Sequence, residues 1–281
     1  MNTIIGVWGA GGSGKTTFAT CLAASIYNHF RQESRVAVVY PDQSSPALSY
    51  LLPRYKKDSI HSVGMPLSRP VITKTDILKN IVTLKGRKNF GVLGYIDGEN
   101  VFTYPALESE KVMQFLEVLG EIVDYTVIDC PTDAANAFTS SALKTSDTLF
   151  TVVNPNLKSI SWSASSESVL SMQDHCKKQV TILNHIRNDI NLPDEERLRR
   201  TDVKTISIPF SKSVAEMAFQ GRLFFGEPDK VFEKAVFDAA SETVKKETQS
   251  VSSIIPFVFD LENREKRSGK ETPNERIGDA I

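Results

Sequence analysis

Cysteine and histidine are scarce in this 281-residue sequence, with three cysteines (Cys21, Cys130, Cys176) and four histidines (His29, His61, His175, His185). The cysteines are too few and too scattered for a disulfide framework or a four-thiolate metal site, and the histidines form no close ligand pair. They read as incidental thiols in a reducing compartment. An excess of charge of one sign is also missing, because the formal net charge is -1. That excludes a global pull toward nucleic acid or an anionic membrane, although a local patch acts on its partner whatever the sum. No hydrophobic run approaches the roughly 18 residues of a membrane-spanning helix. The opening Met1-Asn2-Thr3, followed by Ile4, Ile5, Val7 and Trp8, has no basic stretch and soon meets glycine, so it does not read as a signal peptide. The expectation is a cytoplasmic protein.

What is present is ordinary globular material, 41% hydrophobic and 24% charged, with neither an internal repeat nor a Pro/Gly-rich linker. Ile4 to Trp8 reads as a short buried strand. Phe18, Ala19, Leu22, Ala23, Ile26 and Phe30 then recur at helical spacing, and Val36 to Tyr40 reads as a second strand. The same rhythm returns in a helical stripe from Val112 to Ile122 and a strand from Tyr125 to Asp129. Further strands are predicted at Thr148 to Val153, Val180 to Leu183 and Val203 to Ile208, with helices over Asn156 to Met172, Lys212 to Gln220 and Asp229 to Thr248. Continuous apolar strands alternating with helices predict a three-layer α/β/α sandwich around a mainly parallel sheet. One domain is expected over residues 1–261, with a polar, flexible tail at 262–281.

Gly9-Ala10-Gly11-Gly12-Ser13-Gly14-Lys15-Thr16 matches the phosphate-loop pattern GxxxxGK[ST] without a gap. A strand precedes it and an amphipathic helix follows. Glycines let successive backbone N–H groups turn inward as a nest for phosphate oxygens, and the helix adds the positive end of its dipole. Lys15 is placed to reach the β- and γ-phosphates, and the Thr16 hydroxyl to sit on Mg²⁺. Asp129 ends an apolar strand, where an open parallel sheet presents its site, and is the candidate magnesium-side carboxylate acting through water. A helix N-cap is the alternative for that aspartate. Asp42, just beyond the second strand, is the candidate for positioning the attacking water, with a plain turn aspartate as the alternative. Pro131 and Thr132 open the loop after Asp129.

These segments resemble the ParA/MinD family of ATPases, within the wider group of P-loop proteins that includes nitrogenase iron protein. Gly9 to Thr17 resembles the family's phosphate loop, Tyr40 to Ser44 its first switch, and Val127-Ile128-Asp129-Cys130-Pro131 its second switch. Thr151-Val152-Val153-Asn154-Pro155 is similar to a strand and proline loop facing the nucleotide. Ile182 to Arg187, with Asn184, resembles the segment that reads adenine, and Ile208-Pro209-Phe210 the one beside the base. The resemblance covers roughly residues 1 to 247 and implies ATP and Mg²⁺ as cofactors, slow hydrolysis, and a nucleotide-dependent homodimer acting with a partner protein. It implies a role in intracellular positioning, such as partition or the placement of a pole, pilus or secretion system in a bacterium. In one respect the chain departs from the family, which usually carries a lysine where Ala10 stands; that lysine crosses a dimer to the partner's phosphates. The alternative is a non-hydrolysing, nucleotide-dependent scaffold or regulator of a conjugation or pilus system.

The stretch from Arg54 to Asn89 stands apart, with nine basic residues against two acidic ones and hence a net charge of +7. A short helix is predicted near Asp76 to Leu84, and a strand from Phe90 to Tyr95. An acidic partner surface, nonspecific DNA, an anionic membrane and mere solvation all remain open as uses of this charge. Tyr55 is its one aromatic residue, so DNA binding here would be electrostatic rather than stacked. The C-terminal Arg264 to Pro273 lacks the apolar face that direct membrane attachment needs.

Overall fold

The computed structural model describes residues 2–30, 33–171, 178–186 and 203–243. The tail at 262–281, the apolar run Ile254 to Phe259, Cys176 and Arg187 lie outside the described residues. Among the described residues, eight strands form one sheet in the order β3-β4-β2-β5-β1-β6-β7-β8. They are β1 (Thr3–Gly9), β2 (Val36–Tyr40), β3 (Val82–Thr83), β4 (Phe90–Gly94), β5 (Tyr125–Asp129), β6 (Thr148–Val153), β7 (Gln179–Ile186) and β8 (Lys204–Pro209). All neighbours pair in parallel except β3 with β4. Strand β1 lies at the centre, and the chain runs from it first to one side and then to the other. Its carboxyl end is therefore a topological switch point, the crevice where open α/β sheets bind ligands.

Both faces of the sheet are covered. On one face α1 (Lys15–His29) lays Phe18, Leu22 and Ile26 against Ile5, Val7 and Phe150. The rings of Phe18 and Phe150 meet edge to face at 5.3 Å. A late helix, Lys230–Ser241, joins that layer through Phe232, Val236 and Ala239. Helix α5 (Ser109–Gly120) and helix α6 (Ala137–Thr145) cover the other face, with Phe115 and Phe138 in contact at 5.9 Å. Gly6 makes this closure feasible: a Cβ there would lie 2.8 Å from Ser146 Oγ and 2.9 Å from Leu149 Cδ1. The remaining α-helices among the described residues are α2 (Leu48–Leu51), α3 (Gly64–Leu67), α4 (Lys74–Asn80), α7 (Leu157–Ser171) and α8 (Lys212–Phe219), so the late helix is α9.

Three expectations need correcting. The helix near Asp76 to Leu84 ends at Asn80. Its start is fixed by a capping box, in which the Thr73 side chain accepts from Asp76 N and the Asp76 carboxylate accepts from Thr73 N. The β-branched run Ile81-Val82-Thr83 then prefers extended backbone and pairs antiparallel with β4. Helix α9 stops at Ser241, with Glu242 as its cap, and residues 244–248 of its expected span lie outside the described residues. Helix α6 was not anticipated, because its short run of Ala, Ser and Thr carries little periodicity. It is defined instead by Asn136, whose side chain accepts from Phe138 N at 2.9 Å.

Candidate functional site

The phosphate loop connects β1 to α1, and three of its four glycines answer to a local constraint. A Cβ at Gly9 would lie 2.0 Å from the Val152 carbonyl oxygen of the adjoining strand. Gly12 and Gly14 have φ of 76° and 88°, the left-handed region that only glycine enters freely. Gly14 is the N-cap of α1, with no side-chain cap and no acidic residue in the first turn. The first backbone bond of the helix is Phe18 N to Gly14 O at 2.9 Å. The amides of Lys15, Thr16 and Thr17 therefore stand ahead of the ladder, and no side chain of the helix's own first turn compensates the positive end of the dipole. That is the condition for holding an anion.

Lys15 folds back over the loop. Its Nζ donates to Ala10 O at 3.2 Å and to Thr132 Oγ1 at 2.9 Å, tying the loop to the turn after β5. Burial lowers the Lys15 ammonium below the ordinary lysine value, while Asp129, Cys130 and Asp42 oppose that shift. Thr132 is held in turn by Trp8, whose Nε1 donates to the Thr132 carbonyl at 3.0 Å. The strand end, the loop and the following turn thus form one hydrogen-bonded unit.

The Thr16 hydroxyl donates to Asp129 Oδ2 at 2.6 Å. Asp129 is 6% exposed, and its other oxygen, Oδ1, is buried without a partner. Desolvation raises this carboxyl to about 6, against the hydrogen bond from Thr16 and the charge of Lys15. A buried carboxylate oxygen with no donor is costly unless something cationic completes it. An orphaned oxygen beside a threonine hydroxyl, both hard oxygen donors, fits Mg²⁺, directly or through water. Among the described residues no group of three or more His, Cys, Asp and Glu is arranged to hold a metal. Mg²⁺ bound there would keep several waters and take phosphate oxygens in its remaining positions.

Asp42 sits beyond β2 in a tight turn, where its Oδ1 accepts from Ser44 N at 2.8 Å and Ser45 N at 3.3 Å. Its charge is felt by Lys15, Asp129 and Tyr50, which places it at the same sheet edge. Cys130 is buried and its thiol is raised by desolvation, so it stays protonated at neutral pH. Ser13 is fully buried, and its carbonyl accepts from Asn184 Nδ2 at 2.8 Å. Asn184 therefore braces the loop from below. A Cβ on Gly14 would meet that amide nitrogen at 2.4 Å. Next to it, His185 takes a positive φ of 59° at an irregularity in the β7–β8 register. The Phe210 ring, 44% exposed, contacts the His185 ring edge to face at 6.3 Å, just after Pro209 ends β8. The phosphate end and the prospective base end are thus adjacent.

Sequence reasoning missed three neighbours of the loop. Tyr50 lies against the Thr16 side chain and Trp8 holds Thr132, while Lys158 stands over Gly11. None belongs to a spaced motif, so only the folding of α2, α7 and the turn after β5 against the loop and the end of β1 could reveal them.

No family model matches the chain. In a search of solved structures, the ParA family ATPase from Chlorobium tepidum superposes with a TM-score of 0.67 at 15% identity, covering 85% of this chain and 98% of that one. MinD from Pyrococcus horikoshii, a septum site-determining protein complexed with Mg-ADP, superposes with a TM-score of 0.64 at 21% identity, covering 86% and 96%. The fold is that of the ParA/MinD ATPases. A curated relative, an uncharacterized ATP-binding protein from Methanocaldococcus jannaschii, is 28% identical over 156 residues. That match spans 54% of this chain and about half, 53%, of the relative. In this fold the loop after β1 and the ends of β5 and β2 share one sheet edge, where Lys15, Asp129 and Asp42 converge. No helix among the described residues is long and apolar enough to cross a membrane.

Proposed function

We propose that this chain belongs to the ParA/MinD ATPases and is a Mg-ATP-dependent switch for intracellular positioning. One observation carries the reading: the Thr16 hydroxyl and a buried Asp129 carboxylate with an unpaired oxygen meet beside an uncapped helix N-terminus. Fixed dipoles and a desolvated ammonium are arranged where a triphosphate and its cation would gather charge. The backbone from Gly9 to Thr17 cradles the phosphates, Lys15 neutralises the terminal ones, and Thr16 with Asp129 holds Mg²⁺, Asp129 through water. When bound, the metal ion would draw charge off the phosphate oxygens. Asp42 orients the attacking water. Asn184, Pro209 and Phe210 border the base, which we take as adenine.

The same reading makes the chain a nucleotide-dependent homodimer working with a partner protein, in the cytoplasm and recruited to nucleoid, pole or envelope complex. The basic 54–89 segment is a candidate surface for nonspecific DNA or for an acidic partner. Ala10 favours a second reading, a nucleotide-binding scaffold that does not turn over. Single-turnover hydrolysis of Mg-ATP decides between them. The switch is expected to hydrolyse slowly and the Asp42→Asn variant to bind Mg-ATP normally while losing most of that rate. Normal turnover in Asp42→Asn removes its role, and wild-type binding without any turnover establishes the scaffold.

A further inference from the structure

We propose that Lys158 is a second phosphate-binding lysine, reaching the terminal phosphate of a nucleotide held by its own chain. This rests on the ATPase reading and adds to it the cation that position 10 cannot supply.

Lys158 lies in the first turn of α7, and that turn is held firmly against the loop. Asn156 caps it by accepting from Ser159 N at 2.9 Å, and the Ser159 hydroxyl is bonded to Asn154 Oδ1. Asn154 Nδ2 in turn approaches Gly12 O at 3.5 Å. One turn later Trp162 packs edge to face on Trp8 at 4.7 Å, and Trp8 also holds Thr132. Residues 158 and 162 share a helix face, so the packing that seats Trp162 on the β1 end directs Lys158 over the loop. Its ammonium lies 3.7 Å from the point where a Cβ on Gly11 would stand, and Thr132 Oγ1 lies 3.9 Å from the same point. Since Thr132 Oγ1 also accepts from Lys15, two lysines flank the mouth of the loop, one rooted in α1 and one in α7.

Lys158 is exposed and makes no hydrogen bond or ion pair among the described residues. Lysine ordinarily finds a carboxylate or is surrounded by water, and an anion seated in the loop would give the Lys158 ammonium a partner at the place where it already stands. Mg-ATP keeps a net negative charge after the metal and Lys15 are counted, and most of it lies on the terminal phosphate. A charge-assisted bond from Lys158 to that group would be absent with ADP. Lys158 would thus read the γ-phosphate and transmit its presence to α7.

The test is calorimetry of Mg-AMPPNP and Mg-ADP with wild type, Lys158→Ala and Lys158→Arg, at concentrations where the protein sediments as a monomer. Because the side chain is exposed, both variants should fold as wild type does. We expect Lys158→Ala to lose about ten- to hundredfold in AMPPNP affinity and less than about threefold in ADP affinity, with Lys158→Arg restoring most of the difference. Equal losses for both nucleotides, or none, would overturn the assignment. A preference for AMPPNP that appears only in a dimer would overturn the same-chain geometry. Wild type that takes up neither nucleotide would overturn the ATPase reading along with it.

Discussion

The phosphate loop and the segment from Arg54 to Asn89 both carry positive charge, one cation in the first and nine in the second, yet they put it to opposite physical use. The loop places one lysine, Lys15, where burial and an uncapped helix end make its charge count, and ties it to Thr132 and Ala10. The basic segment carries nine cations, and eight are solvent-exposed. Lys74 pairs with Glu121 at 2.7 Å and Arg69 approaches Asp76 at 4.0 Å. Only Arg87 is partly enclosed, its guanidinium 5.8 Å from the ring centres of both Tyr27 and Phe90. Enclosure, not the number of charges, separates a site from a surface, because a charge in water is screened within about 8–10 Å.

Lys15→Ala gives the largest expected effect. Magnesium-nucleotide affinity should fall at least about hundredfold, whereas Lys56→Ala with Lys57→Ala should change it less than about twofold. Comparable losses in the two variants would break the contrast. If duplex DNA binds to the segment, that double variant should instead reduce the salt dependence of retention by about two phosphate contacts, read from the slope of log affinity against log salt.

Arg87→Ala sharpens the contrast inside the basic segment. Losing a cation that lies over two rings should cost about 1 kcal/mol in urea unfolding, against less than about 0.5 kcal/mol for Arg54→Ala. Equal costs would mean that its aromatic neighbours contribute nothing.

The smallest effect concerns Asp76. Hydrogen bonds from the Thr73 side chain and backbone hold its carboxyl below the usual aspartate value. A depressed folded-state value means that its contribution is present above the ordinary aspartate range near 3.9 and is lost as pH falls through the folded value. Amide exchange at Thr73 and Asp76 should therefore accelerate at acid pH relative to neighbouring amides after correction for intrinsic rates. Asp76→Asn should show little of that dependence.

Much of the fold was legible because buried parallel strands are continuous apolar runs. Val36 to Tyr40, Tyr125 to Asp129 and Thr148 to Val153 coincide with β2, β5 and β6. Helix α6 was not, since Ala137 to Thr145 is fixed by an Asn136 cap and by the space that Gly6 leaves. At the site, the phosphate loop could be read from spacing, and Asp42 and Asp129 from their places at strand ends. The bond from Asn184 to Ser13 could not, because it joins groups 171 residues apart.

The amino-acid order by itself determined a glycine-rich turn between a buried strand and an amphipathic helix, because φ values of 76° and 88° and a 2.0 Å approach to Val152 tolerate no side chain. Only the tertiary structure decided which distant groups surround that turn. Sheet order brings the ends of β5, β6 and β7 to it, so Asp129 keeps an unpaired buried oxygen and Lys158 overhangs Gly11. Neither property exists until parallel pairing closes chain separations of more than a hundred residues, a proximity that local pattern does not encode.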